Sequence, residues 1–243
     1  MGSTASEHDT DSLSVSWTDI VRFVRQLSHD LRNHLNAAEL QAVYIGELTG
    51  DAELKTEVKK FRATIAGLGT ILQKLSADLG QIKPSFMPYR AVDFVEDLRQ
   101  KFAHDFPQES AAVNWEVQPG DAALNVDPQL LQQALLELFA NAFQHQRGQG
   151  PLAATAKIDN DRFVFRLREP KARFELSTEN WGREPLGKIS QGHYGLGLNR
   201  ARVIVEAHGG ELGAHYNPTE SVLLTTITLP LSAERVKVSG SSR

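Results

Sequence analysis

The chain has 243 residues, of which 41% are hydrophobic and 23% charged, so it can bury one large core or two modest ones and is not disordered throughout. A net charge of −4 leaves no basic footprint for nucleic acid, the lack of cysteine excludes disulfides and thiolate metal sites, and no apolar run reaches the roughly 18 residues that a membrane span needs. With no basic-then-apolar order near the start, the expectation is a cytoplasmic protein that takes neither nucleic acid nor membrane as a partner.

Residues 1–16 read as a polar tail. From Trp17 to Leu79 there is no proline, and Leu54, Val58, Phe61, Ile65, Leu68, Leu72, Leu75 and Leu79 alternate gaps of four and three. That is a heptad seam, the pattern of a helix lying alongside partners. Val24, Leu27, Leu31, Ala38, Ile45 and Leu48 trace a similar seam earlier, broken by polar residues near His34 and Gln41. Between the two, Thr49-Gly50-Asp51 supplies a glycine stop and an acidic helix start. Residues 17–82 are therefore predicted to form an antiparallel helical hairpin. Two helices cannot enclose a seam on every side, so the expectation is a homodimer closed as a four-helix bundle. The alternative is a bundle completed within one chain.

Pro84 and Pro88 mark a linker, and residues 83–233 then alternate helices with strands. Ala91 to His104 is a short amphipathic helix and Val113 to Val117 a strand. Asp127 caps a helix that opens at Pro128 and runs to about Gln144. Thr155 to Ile158 and Arg162 to Leu167 flank Asp159-Asn160-Asp161, a hairpin signal. Gly195 to Ala207 is a further helix closed by Gly209-Gly210, and Val222 to Leu229 is the last strand. Elements in this order predict an α/β sandwich, one helical layer on one mixed sheet. Residues 234–243 form a second tail.

Three segments carry candidate chemistry. His29 stands in Ser28-His29-Asp30-Leu31-Arg32-Asn33. With Val24 and Leu31 at a positions and Leu27 at d, it falls at f, pointing away from the seam. A lone outward histidine is ordinarily a solvated side chain. Here Asp30 adjoins it, Asn33 lies one turn on, and Arg22, Arg25 and Arg32 share roughly the same face. A neutral imidazole is a competent nucleophile, a neighbouring carboxylate can orient it, and arginines attract phosphate or an acidic surface. Glu137 and Asn141, four apart on the Asp127-capped helix, face the same way and offer hard oxygen ligands suited to Mg²⁺. Gly195 and Gly197, in Gly192-His193-Tyr194-Gly195-Leu196-Gly197, open a helix whose free amides can meet an anion.

In order, these segments resemble the cytoplasmic core of two-component sensor histidine kinases, over residues 20–232. Ser28 to Asn33 looks like the family's phosphoacceptor box and Glu137 to Ala142 like its N box. The run from Gly195 to Leu198, on through Val205-Glu206-Ala207-His208-Gly209-Gly210-Glu211-Leu212, looks like its second glycine box and following helix. The resemblance implies a Bergerat-type ATPase domain after the hairpin. It makes His29 the phosphorylated residue, Asp30 its orienting acid/base, and Asn33 the group that positions water to dephosphorylate a partner. Asn141 would hold Mg²⁺ against the phosphates of ATP, with Glu137 beside it, and Gly195 and Gly197 would cradle those phosphates. The implied partner is an aspartate-bearing response-regulator receiver domain.

Two departures qualify that picture. His34 stands where the family's box has proline. In the first glycine box the best alignment puts Glu169 in place of the adenine-reading aspartate, and Lys171 and Arg173 in place of two glycines. The lid-like segment from Glu175 to Gln191 is short and contains Trp181. The adenine end thus reads as degraded and the phosphate end as kept. The expected protein is a phosphorelay component acting as an ATP-independent histidine phosphotransferase. The alternatives are an active Mg-ATP-dependent autokinase and a non-enzymatic dimerisation module.

Overall fold

The first two helices start where short polar side chains can satisfy their free amides. In the computed structural model, which describes residues 16–144, 148–174, 177–179, 181–183 and 195–232, α1 (Trp17–Leu48) opens on Ser16, whose hydroxyl accepts from the Asp19 amide at 3.1 Å. α2 (Ala52–Asp78) opens on Asp51, whose carboxylate accepts from the Glu53 and Leu54 amides at 2.8 and 3.3 Å. The helices lie antiparallel: Arg62 Nε reaches Glu39 Oε1 at 2.7 Å, and Gly46 lies against Val58.

The heptad seam divides into two halves. Ile65 and Ala42 are buried, and Val58 and Leu72 half-buried. The other half remains in water: Leu54, Phe61 and Leu68 are 44%, 54% and 47% exposed, and Leu27, Leu31, Ile45 and Leu48 between 41% and 68%. One hairpin covers only one side of each helix, so among the described residues a regular seven-residue stripe of large apolar groups stays exposed on it.

The described chain divides into two compact units after Gly80. The second unit holds a five-stranded sheet in the order β2-β4-β5-β7-β6. Its strands are β2 (Val113–Gln118), β4 (Leu152–Asp159), β5 (Arg162–Pro170), β6 (Glu211–Asn217) and β7 (Val222–Pro230). β2 runs parallel to β4 and every other pairing is antiparallel. Asn160 and Asp161 join β4 to β5 with φ of 49° and 56°, the paired left-handed residues of a tight hairpin turn. Against one face lie α3 (Ala91–Asp105), α4 (Pro128–Gln144) and α5 (Gly197–Ala207). Odd-numbered residues of β5 supply the buried row: Phe163 meets Phe94 edge-on at 6.3 Å, Phe165 meets Phe139 at 6.2 Å, and Leu167 follows. Even-numbered Arg162, Arg166 and Arg168 stay at least partly in water.

This is a helical hairpin followed by an α/β sandwich of three helices on one mixed sheet, with three strands the sequence did not announce. β1 (Met87–Arg90) and β3 (Ala123–Val126) form a separate antiparallel pair, each only four residues long and too short to show a period. Pro88 is tolerated in β1 because a two-stranded ribbon has only edges. β6 carries Gly213 and an exposed face, and its pairing to β7 defines it.

His208 ties the end of α5 to the start of α4. It is 5% exposed; its Nδ1–H donates to the Ile204 carbonyl at 2.7 Å and its Nε2 accepts from the Asp127 amide at 3.0 Å. Asp127 in turn caps α4 through the Gln129 and Leu130 amides and accepts from Ser85 at 2.9 Å. Burial pushes the Asp127 carboxyl up, but these three amides and the nearby imidazole together hold it below its ordinary value.

Candidate functional site

The sequence-predicted residues fall into two groups, one in each unit. On α1, His29 and Asp30 are exposed, with side chains 67% and 53% accessible. Asp30 Oδ1 lies 3.3 Å from His29 Nδ1 and also accepts from Gln26 Nε2 at 2.9 Å. Asn33 Nδ2 stands 3.5 Å from the same ring nitrogen, one helical turn on. The two contacts demand opposite tautomers. A proton on Nδ1 suits Asp30; a lone pair there suits Asn33. The shorter contact and the negative charge favour Nδ1–H, which leaves the lone pair on Nε2. Ser28, beside this group, is buried, whereas Arg22, Arg25 and Arg32 are exposed.

In the second unit α4 carries Glu137 and Asn141, both half-buried. Glu137 lies directly against the backbone of Gly197 at the start of α5, so close that a β-carbon at position 197 would collide with its carboxylate. Gly195, two residues earlier, has φ of 64°, which a side chain would strain. The two glycines therefore have separate reasons: one a backbone conformation, the other a close approach. Gly192, His193 and Tyr194 lie outside the described residues. Among those described, no cluster of three or more acidic or histidine side chains forms a metal cage.

Glu169 and Lys171 extend the inward row of β5 beyond Leu167. Their side chains are 7% and 5% accessible, and the Lys171 ammonium pairs with Glu169 Oε1. Arg173, the other cation expected near this position, is exposed. The Lys171 backbone is held on both sides: its N–H donates to Ser221 O at 2.7 Å and its carbonyl accepts from Tyr216 Oη at 3.2 Å.

Only 177–179 and 181–183 of the lid-like segment are described, and two side chains of α5 grip them. Arg202, 8% exposed, donates from Nε to the Trp181 carbonyl at 2.8 Å and from Nη2 to both that carbonyl and Leu212 O, the latter at 2.7 Å. Asn199 Nδ2 donates to the Gly182 and Arg183 carbonyls at 3.0 and 3.1 Å. Trp181 is 9% exposed and packs on Phe174, which packs on Tyr216. Neither Arg202 nor Asn199 was legible as an anchor, because their acceptors are main-chain carbonyls that no residue pattern reveals.

Comparison with known proteins places this geometry. Residues 126–233 match the family of histidine kinase-, DNA gyrase B- and HSP90-like ATPases. The sensor histidine kinase ZraS of Klebsiella oxytoca is 24% identical over 229 residues, 88% of this chain and 46% of that protein. The sensor histidine kinase SpaK of Bacillus subtilis is 33% identical over 92 residues, 36% of this chain and 20% of that one. Among solved structures, full-length ShkA in complex with AMPPNP superposes with a TM-score of 0.66 at 19% identity, covering 88% of this chain and 47% of that one. The chain thus spans less than half the length of these relatives. Its second unit carries the histidine-kinase-type ATPase domain, and over most of its length the chain is similar to sensor histidine kinases.

Proposed function

We propose that this chain is a phosphorelay component in which His29 exchanges a phosphoryl group with the aspartate of a response-regulator receiver domain, without passing through nucleotide. The observation that carries the proposal is the exposed imidazole whose Nδ1 faces Asp30 at 3.3 Å. Asp30 holds the proton on Nδ1 and stabilises the charge that grows on the ring. Nε2 attacks the phosphorus of the receiver's aspartyl phosphate, the new N–P bond forms as the acyl O–P bond breaks, and the receiver carboxylate leaves. Arg22, Arg25 and Arg32 offer cations to an acidic receiver surface. Asn33, on the same face, orients a water in a separate reaction, in which that water attacks the receiver's aspartyl phosphate, the O–P bond breaks and inorganic phosphate leaves.

The test is transfer from a receiver domain carrying labelled phosphate. Label that is acid-labile, base-stable and mapped to His29 supports the reading. Label that stays on the receiver, or moves to another residue, overturns it. Uptake at His29 from labelled Mg-ATP would instead favour the autokinase reading, which the family match and the nucleotide complex of ShkA both motivate.

The acting species in this proposal is a homodimer. The exposed halves of the heptad seam, with Leu27, Leu31, Leu54, Phe61 and Leu68, are the surface a second hairpin would cover. The wild type is expected to sediment at twice its 26.9 kDa chain mass. Phe61→Glu, which places a charge in that stripe, is expected to yield the monomer at micromolar concentration. A wild type that sediments as a single chain would remove the dimer.

A further inference from the structure

Alternation along β5 puts two opposite charges where apolar residues belong. Phe163, Phe165 and Leu167 point into the layer between sheet and helices, and counting on by two reaches Glu169 and Lys171. Both are more than nine-tenths buried, and they form an ion pair. The lysine cannot readily swing outward. Its amide and carbonyl are tied to Ser221 and Tyr216, and the preceding Pro170 carbonyl accepts from the Gly148 amide at 2.7 Å. Gly148 itself approaches so closely that a β-carbon there would press on the Pro170 carbonyl.

Position 169 is where the histidine-kinase alignment expects a carboxylate that reads the amino group of a nucleotide base; the inference rests on that alignment. Here the carboxylate already faces a donor. An ammonium offers a charge-assisted hydrogen bond, stronger than the neutral N–H of a base amine. A base that displaced it would have to break a buried ion pair. We propose that Lys171 is an internal stand-in for the amino group of a nucleotide base. Its side chain occupies the recognition carboxylate and closes the domain to adenine nucleotides. A corollary is that deleting the ammonium creates a site for an external amine of the same reach.

The full chain is compared as wild type, Lys171→Ala and the double variant Glu169→Gln with Lys171→Met, which removes both charges at similar volume. Calorimetry with Mg-ATP at about 1 mM is expected to show no binding to the wild type or the double variant. Lys171→Ala is expected to melt below the wild type. About 10 mM propylammonium, the fragment that the substitution deletes, should raise its melting temperature by about 2–4 °C, while propanol at the same concentration should not. Neither additive should shift the wild type or the double variant. Saturable Mg-ATP binding by the wild type overturns the proposal, as does equal rescue by amine and alcohol or no rescue at all. Should Lys171→Ala not fold unaided, its refolding yield with and without propylammonium becomes the readout, and equal yields overturn the proposal. Failure here is separable from failure of the phosphorelay reading, because labelling of His29 from a receiver domain does not involve Lys171.

Discussion

Replacing Asp30 by asparagine should slow phosphoryl uptake at His29 by about 100-fold, and replacing His29 by alanine should abolish it, with both variants folded and still assembled as the wild type is. The two substitutions probe different atoms. Alanine removes the nucleophile. Asparagine keeps the shape of residue 30 but loses the charge that favours Nδ1–H and stabilises the imidazolium-like phosphoryl adduct. It also presents an amide that can donate toward Nδ1, as Asn33 already can from 3.5 Å. Both changes bias the ring toward Nε2–H, the tautomer without a lone pair where phosphorus must arrive. Side chains this exposed contribute little to folding, so circular dichroism and melting temperature should match the wild type. The measurement is the initial rate of label transfer from a phosphorylated receiver domain. An asparagine variant that accepts phosphate at the wild-type rate would take Asp30 out of the reaction.

Arg202→Met should lower the stability of the second unit by about 3 kcal/mol. The methionine fills much of the volume of the arginine stem but donates no hydrogen bond. The Trp181 and Leu212 carbonyls would then lose the guanidinium that now bridges them. A single charge cannot replace a planar fork with several donors, so Arg202→Lys should recover only part of the loss. Because Trp181 packs on Phe174, and Phe174 on Tyr216, the loss should also loosen the indole. The checks are thermal melting and tryptophan emission. The expected fall is about 6–12 °C at 2–4 °C per kcal/mol for a unit of this size. An unchanged melting curve would show that the contacts of Arg202 are replaceable.

The residues announced both units and most of their elements. Alternating gaps of four and three specified α2 and a broken version of the same spacing specified α1, while Asp51 and Asp127 announced helix starts with capping chemistry that acts over only three residues. The Asn160-Asp161 turn announced a hairpin, again through local backbone preference. β1, β3 and β6 were not legible. β1 and β3 pair at a distance in four-residue runs that show no period, and β6, with Gly213 and an exposed face, is defined by its pairing to β7. The candidate site divides along the same line. His29 with Asp30 and Asn33, and Glu137 with Asn141, lie within one helical turn of each other, so spacing alone brought them together. The contact between Glu137 and Gly197 joins two helices that are 60 residues apart in number, and spacing could not show it.

Residue spacing alone wrote the hairpin, the sandwich, the outward histidine and the two cations that follow Glu169, because each lies in periods of two, three and four or in a short run of residue types. Packing settled that half of the heptad seam is left in water, that Trp181 is held by a buried arginine, and that Lys171 turns inward onto Glu169 while Arg173 is exposed. Solvation accounts for the difference. A charged side chain goes to water unless the fold puts it on a buried face and supplies its counter-ion, and which face is buried is settled only when sheet and helices meet.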